Sequence, residues 1–362
     1  MLRSCSDSRF QNLSIKGIIL FAALASFSIL CGCVALADKT AGSASGTSES
    51  DDKTKVIASI FAPYDLARQV GGDYAEVSML VPPGSETHSF EPTPRDIVDL
   101  QECDVFIYVG GESDAWLDDL LSSIDTTDKR IVRLMDIVDT LEEVHIEGMQ
   151  EDDEIVSDES DDEHGQDFEE RRAEQDEHDS DAHGHVGEQD EHVWTSVPNA
   201  KSIVRAIADV LMETDSVHAA SYDQNATDYL QQLDELDDQF REVVAQANRT
   251  TVVFGDRFPF LYLAEEYGLR YYAAFSGCST QTEASANTIA ALIERVKEEQ
   301  IPVVFKIELS NHKIADTIAE QTGTQVLVLH ACHNISKDDF VAGATYLSLM
   351  EQNVANLRIA LN

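Results

Sequence analysis

The stretch Lys55–Pro82, KVIASIFAPYDLARQVGGDYAEVSMLVP, decides the fold class. An apolar run typical of a buried strand is followed by a short helix that two glycines close, and then by a second strand. A strand, a helix and a strand in this order predict a parallel sheet covered by helices on both faces, because parallel strands need a crossover connection.

The same alternation continues along the chain. Apolar strands are predicted at VFIYVG (105–110) and RIVRLMDIV (130–138), and a second α/β set begins at TTVVFG (250–255). Between the sets, apolar residues spaced four, three, four and three apart predict a long amphipathic helix from about Ala219 to Gln246. These residues are Tyr229, Leu233, Leu236, Phe240 and Val243. We expect an α/β protein of two lobes, each a mainly parallel sheet flanked by helices, joined by one long rigid helix, with its ligand in the interlobe cleft.

The N-terminus has the pattern of a targeting segment. Arg3, Arg9 and Lys16 precede an apolar run (17–30) that is too short for an ordinary membrane span. The sequence LCGC (30–33) resembles a bacterial lipobox, which implies cleavage before Cys33 and lipidation of its sulfur. We therefore expect a signal peptide (1–32), a flexible tether (33–54), an N-terminal lobe (55–200), a linker region (201–250) and a C-terminal lobe (251–362).

The charge is concentrated in one tract. The formal net charge is −43, and 23 Asp and Glu residues against two Arg lie between Leu141 and His192. This sign disfavours a nucleic-acid partner and favours cations. The tract lacks a sustained apolar period, so residues 142–191 are predicted to form a disordered acidic loop. Five histidines could give that loop a weak zinc-holding role, the alternative being a solvated spacer; they are His145, His164, His178, His183 and His185.

The cysteines that remain after Cys33 are odd in number. Cys278 and Cys332 both fall in short turns of the C-terminal half, so a disulfide between them is our expectation. Cys103 ends an apolar-striped helix and is expected to be a buried free thiol.

One loop is stiffened around a single histidine. VPPGSETHSFEPTPRD (81–96) holds four prolines, two on either side of His88. Prolines reduce the conformational freedom that a loop loses on ordering, so this loop is suited to hold one side chain still. His88 is therefore a candidate ligand.

Three motifs resemble those of the zinc and manganese ABC-transporter solute-binding proteins, known as the cluster A-I family. They are the His88 loop, DEHVWTSVPNA (190–200) and the closing helix TYLSLMEQNVANLRIAL (345–361). The resemblance covers nearly the whole chain after Lys55. It implies that His88 and His192 are the first two metal ligands.

The third and fourth ligands depart from the family pattern. Arg257 occupies the third position, and a guanidinium cannot ligate a metal because it stays protonated. Neighbouring Asp256 is the expected substitute, the alternative being a helix cap or a partner of Arg257. At the fourth position His330 is expected, with His333 and the Cys332 thiolate as alternatives. Glu283, His312 and His218 are expected to have structural roles.

The expected site, His88, His192, Asp256 and His330, is rich in imidazole and so favours Zn²⁺ over Mn²⁺. A closed four-ligand site binds a metal rather than using it for catalysis, and the sequence lacks the common enzyme motifs. The resemblance implies a monomeric, lipid-anchored zinc-binding protein that delivers Zn²⁺ to an ABC-transporter permease in the membrane. The alternatives are a manganese-binding homologue, a metal-dependent surface adhesin and a zinc hydrolase.

Overall fold

The computed structural model describes residues 53–85, 90–146, 148–149, 188–279 and 283–362. Within these ranges the chain forms two four-stranded sheets, and all pairings between their strands are parallel. The N-terminal sheet has the order β2-β1-β3-β4, with β1 Thr54–Ala58, β2 Ala75–Met79, β3 Val105–Tyr108 and β4 Arg130–Arg133. The C-terminal sheet has the order β6-β5-β7-β8, with β5 Thr251–Arg257, β6 Arg270–Phe275, β7 Val303–Lys306 and β8 Gln325–Val328. The predicted α/β fold with two parallel sheets is confirmed.

Helices connect the strands and cover the sheets. Their bounds are α1 Phe61–Gly71, α2 Pro94–Glu102, α3 Ala115–Ser123, α4 Val197–Thr214, α5 Ala219–Ala245, α6 Leu261–Tyr267, α7 Ala286–Glu298, α8 Lys313–Thr322, α9 Lys337–Ala342 and α10 Tyr346–Ala360. Helix α2 begins as its sequence predicts: the Thr93 hydroxyl accepts from the Asp96 amide, the Asp96 carboxylate accepts from the Thr93 amide, and Pro94 takes the first turn.

Each sheet is buried on both faces. In β3, Val105 and Ile107 join the apolar cluster shared with α1, α4 and α5, whereas Phe106 and Tyr108 join a separate cluster on the opposite face. The C-terminal sheet repeats this arrangement, with α7 and α8 covering its second face. This is why its central strands β5 and β7 contain the continuous apolar runs Val252–Phe254 and Val303–Phe305 instead of alternating with polar residues.

Helix α5 is the long helix that the sequence predicts. Its 27 residues span about 40 Å at 1.5 Å per residue. One stripe is buried in the cluster that runs through both lobes, with the spacing expected of an amphipathic helix. Each fully buried Leu or Phe of that stripe contributes roughly 1.5–3 kcal/mol. The helix is therefore part of the core that both lobes share.

The acidic region is ordered at both ends, contrary to the prediction of a disordered loop over residues 142–191. Glu142 and Gln189 form an antiparallel bridge, the Glu143 amide donates to the Glu188 carbonyl at 2.7 Å, and the Asp190 amide donates to the Leu141 carbonyl at 2.9 Å. Backbone pairing fixes these ends despite their charge. Residues 151–187 lie outside the described ranges.

The predicted disulfide is wrong: Cys278 and Cys332 are both free. The Cys332 side chain is fully buried in the core cluster shared by the lobes. Cys278 lies in the loop after β6, where its amide donates to the Glu143 carboxylate at 2.8 Å. The two thiols thus belong to different environments. Cys103 is a buried free thiol, as predicted.

No helix in the described ranges combines the length and the apolar character needed to cross a membrane.

Candidate metal centre

His192 is held by Asp190 in the loop that leads into α4. Its side chain is 1% exposed, and Asp190 Oδ1 lies 2.8 Å from the His192 backbone nitrogen and 3.1 Å from its Nδ1. A carboxylate oxygen only accepts hydrogen bonds, so Nδ1 carries the proton and Nε2 keeps its lone pair. This is the tautomer that ligates a metal through Nε2, with a carboxylate supporting the ring.

The electrostatic surroundings of His192 favour a cation. Burial opposes a charged imidazole, but the charge of Asp190, its hydrogen bond, and the charges of Glu191 and Glu143 outweigh burial and raise the pKa of His192. A metal ion bound at Nε2 would take the place of that proton and be stabilised by the same carboxylates.

The His192 loop is tied to the C-terminal lobe by three hydrogen bonds of 2.7 Å. Trp194 Nε1 donates to the Ala331 carbonyl, the Tyr346 hydroxyl donates to the Trp194 carbonyl, and the Tyr262 hydroxyl donates to the Asp190 carbonyl. All three join buried groups, where an unmade hydrogen bond is costly. His192 is therefore held at the boundary between the lobes.

His333 is the C-terminal-lobe histidine whose ring contacts that of His192. Their ring centroids are 5.3 Å apart with the planes at 88°, and the His333 ring also packs on Trp194. The Glu308 carboxylate, just after β7, holds the segment: one oxygen accepts from the His333 amide at 3.1 Å and the other from the Ala331 amide at 2.7 Å.

His330 is the expected fourth ligand, and its Nδ1 is hydrogen-bonded to a backbone amide instead of to a carboxylate as in His192. Its Nδ1 accepts from the Cys332 amide at 2.9 Å, so in the neutral ring the proton is on Nε2 and that nitrogen has no lone pair for a metal. Its backbone is bound on both sides by the Asn353 side-chain amide of α10. These hydrogen bonds hold the ring and backbone of His330 in place, and its role as a ligand stays a prediction.

The carboxylate of Asp256, the expected third ligand, also accepts hydrogen bonds from the backbone. Its Oδ1 accepts from the Arg257 amide at 2.9 Å and its Oδ2 from the Ile307 amide at 3.3 Å, which joins the ends of β5 and β7. Burial raises the pKa of Asp256 in spite of these bonds and one from Ser310. The Arg257 guanidinium donates to the Ser279 carbonyl at 3.4 Å.

His88 lies outside the described residues, but the chain just before it is anchored beside His333. The side-chain amide of Asn334 donates to the Pro82 carbonyl at 3.1 Å and to the Ser85 carbonyl at 2.7 Å. The Gly84 amide donates to the Ile335 carbonyl at 2.7 Å. The last described residue before His88, Ser85, is therefore bound to the immediate neighbour of His333.

The surroundings of the site are acidic. Glu191 is buried, and its carboxylate accepts from the Ser113 amide at 2.7 Å beside a small cavity that His333 also lines. On the surface nearby, a hydrogen bond to Glu112 and then partial burial raise the pKa of Glu188 to about 8, with the charges of Glu112, Glu143 and Glu191 adding to the shift. Together these carboxylates attract cations to the site and repel anions.

The remaining candidates either lie apart from this group or fall outside the described residues. Burial raises the pKa of Cys332 well above its usual value, so it is a thiol and not a thiolate ligand. His145 is exposed near the start of the acidic region. Cys33 and four tract histidines fall outside the described residues: His164, His178, His183 and His185. Among the described residues no three His, Cys, Asp or Glu side chains are arranged to hold a metal, so His192, Asp256 and His330 do not form the expected cluster.

Comparison with known proteins gives the family. Residues 56–360 match the model of ZnuA, described as the periplasmic component A of a zinc-uptake complex. The chain belongs to the ZnuA family. It is 28% identical to the high-affinity zinc uptake system protein ZnuA of Bacillus subtilis over 342 residues, which cover 94% of this chain and 97% of that protein.

A second ZnuA-family relative is longer than this chain. The zinc-binding lipoprotein AdcA of Streptococcus pneumoniae is 30% identical over 314 residues, and the match covers 87% of this chain but only 57% of AdcA. The crystal structure of the Zn(II)-bound ZnuA-like domain of that AdcA superposes with a TM-score of 0.65 at 26% identity, covering 86% of this chain and 99% of the domain. The shared two-lobed fold agrees with the family assignment.

The sequence pattern missed the residues that support the histidines. Asp190 precedes His192 by two positions, a spacing that could have marked it as the carboxylate of the imidazole. Glu308 gave no comparable signal, because its contacts with the segment after β8 depend on the pairing of β7 with β8. The contact between the rings of His333 and His192 also joins distant segments and could not be predicted from the sequence.

Proposed function

We propose that this protein captures Zn²⁺ on the outer side of the cytoplasmic membrane and delivers it to an ABC-transporter permease. The observation that carries the proposal is the buried imidazole of His192, whose Nδ1–H is held by Asp190 and whose ring contacts His333 across the lobe boundary. Membership of the ZnuA family and the names of the relatives AdcA and ZnuA support zinc as the cargo.

The proposed ligands are His192, His333 and His88. His333 replaces His330 because its ring contacts His192, whereas Nδ1 of His330 is taken by the Cys332 amide. The anchoring of Ser85 by Asn334 supports His88, which follows three residues later and can reach no further than about 11 Å from it. An imidazole-rich set favours Zn²⁺ over Mn²⁺.

Lobe closure in this protein is proposed to be small. Helix α5 packs in the core that both lobes share, and the Trp194 side chain donates a hydrogen bond to the Ala331 carbonyl. A large hinge motion would break these buried contacts. Capture would therefore involve local movement of the loops around the histidines, followed by docking on the permease.

We propose for the chain the same division into segments that the sequence predicts. The signal peptide (1–32), lipidated Cys33 and tether (33–54) would hold a monomeric protein at the membrane; the N-terminal lobe (55–200), linker region (201–250) and C-terminal lobe (251–362) would carry the site. The names of lipoprotein relatives support the anchor. We do not propose an adhesin or a hydrolase role, since no contact among the described residues favours either.

Competition with a chromophoric zinc chelator tests the capture step on the purified chain. His192→Ala should weaken zinc binding by more than about 100-fold, since even loss of a supporting group typically costs about 10–100-fold. His312→Ala is the matched control, because that imidazole is exposed and contacts Lys306 Nζ. Equal affinities of the two variants would contradict the proposal.

A further inference from the structure

A second cavity lies beside the histidine site. Glu143, Asp190 and Ser276 bring oxygens to it, and the rest of its wall is Gly277 and the apolar or aromatic residues Val144, Met149, Phe258, Leu261 and Tyr271. Asp190 is 1% exposed and Ser276 is 2% exposed, so the cavity reaches groups that bulk water does not. It is a small cavity, suited to a single ion or to one or two waters.

Two buried oxygens in this cavity lack a hydrogen-bond partner within the described part of the chain. They are Asp190 Oδ2 and Ser276 Oγ. Oδ1 of Asp190 accepts from the backbone and ring nitrogens of His192, so only Oδ2 is left toward the cavity without a donor. A buried acceptor of this kind is costly unless a cation or a donor meets it.

Further oxygens surround the same space. Glu143 lines the cavity and is held in place through Oε1, which accepts from the Cys278 amide. The Phe258 carbonyl oxygen and Asp190 Oδ2 both lie within 3.2 Å of the point where a Cβ on Gly277 would stand. A side chain at residue 277 would crowd both oxygens, so glycine keeps the space between them open.

We propose that this cavity is a cation site, separate from the histidine centre, that takes one hard divalent cation of the calcium class. Its donors are two carboxylates, a hydroxyl and a backbone carbonyl, which are the ligands that Ca²⁺ prefers, whereas the ring of His192 meets this space with the carbon Cε1, 3.4 Å from the point where a Cβ on Gly277 would stand. The site does not depend on the proposed zinc function. A cation there would nevertheless share the Asp190 carboxylate with His192, and coupling between the two sites would be reciprocal.

Terbium luminescence tests the site in the intact, zinc-free chain. Tb³⁺ takes calcium-type oxygen sites and emits when a nearby tyrosine is excited, and Tyr271 lines the cavity. Residues 151–187 contain neither Tyr nor Trp, so the acidic tract supplies no sensitiser of its own. We expect a saturable tyrosine-sensitised signal that Ca²⁺ displaces and that Tyr271→Phe weakens, the remainder coming from Tyr262, whose hydroxyl donates to the Asp190 carbonyl.

Two neighbouring glutamates provide a matched pair of variants. Glu143→Gln should weaken Ca²⁺ competition by about tenfold, because calcium affinity follows the number of charged ligands. Glu142→Gln removes the same charge from an exposed neighbour and should leave the competition unchanged. Ser276→Ala should weaken it as well, and it leaves every carboxylate in place.

Two results would overturn the proposal. Absence of a saturable tyrosine-sensitised signal would mean that the cavity holds ordered water only. An equal response of Glu143→Gln and Glu142→Gln, with an unchanged response of Ser276→Ala, would mean that the lanthanide binds elsewhere on the acidic surface.

Discussion

The imidazoles of His192 and His333 meet edge to face across the lobe boundary, with 5.3 Å between their ring centroids. The contact joins the loop before α4 to the segment after β8, which are 141 residues apart in sequence. The Asp190 carboxylate accepts from the ring of His192, whereas the Glu308 carboxylate accepts from the backbone amide of His333.

The two histidines after β8 should differ in their effect on zinc. His333→Ala should weaken zinc binding by more than about 100-fold, because it removes a proposed ligand. His330→Ala should change affinity by less than about tenfold, since Nδ1 of that ring is engaged by the Cys332 amide. Isothermal titration with a competing chelator measures both, and the reverse order would contradict the assignment of His333.

The carboxylate of Asp190 should matter through the tautomer of His192. Asp190→Asn keeps the shape but can place an amide N–H against Nδ1, which favours the proton on Nε2 and blocks the ligating lone pair. Zinc affinity should fall about 10–100-fold. The exposed Asp209→Asn serves as the charge-matched control. Unchanged affinity in Asp190→Asn would exclude this positioning role.

Glu308 should act on stability as well as on the site. Its buried carboxylate accepts the amides of Ala331 and His333, and Glu308→Gln leaves one of them facing an amide NH₂. The free energy of unfolding should fall by about 1–3 kcal/mol in urea denaturation. Glu320→Gln, an exposed neighbour on α8, should change it by less than about 0.5 kcal/mol. If Glu308→Gln and Glu320→Gln had equal free energies of unfolding, Glu308 would not be needed to stabilise the segment after β8.

Asn334 should influence zinc binding without being a ligand. Its side-chain amide is the donor that ties Pro82 and Ser85 to the C-terminal lobe. In Asn334→Ala the loop that carries His88 loses this anchor, so zinc affinity should fall about tenfold through a faster dissociation rate. Stopped-flow release of zinc to a chelator measures the rate, and an unchanged rate would mean that His88 is positioned by other contacts.

The Glu188–Glu112 pair should make stability depend on pH. The pKa of Glu188 is raised to about 8 in the folded chain, so between about pH 4.5 and 8 the folded state binds more protons than the unfolded state. Stability from this group is therefore lost as pH rises through that window. Glu188→Gln should raise Tm at pH 8 more than at pH 5, by about 1–2 °C because solvent screens the exposed pair. A gain that is the same at both pH values would contradict the pairing.

The fold was predictable because its elements are local. The apolar strands around Val56, Phe106 and Phe254 and the stripe of α5 follow from periodicity alone, and the structure confirms them. His192 stood out through its motif. The support for the site was not predictable, because Glu308 and Asn334 act through contacts between segments that only the packed lobes bring together. The contacts of Asp256 were not predictable for the same reason: near the end of β5 its carboxylate meets the Ile307 amide, and its role as a ligand stays a prediction.

The most direct test is diffraction from crystals of the zinc-loaded protein, collected on both sides of the zinc absorption edge. The account predicts one strong anomalous peak at about 2.0–2.1 Å from His192 Nε2 and from a ring nitrogen of His333. A peak bound to His330 or Asp256, with His333 outside the coordination sphere, would contradict it.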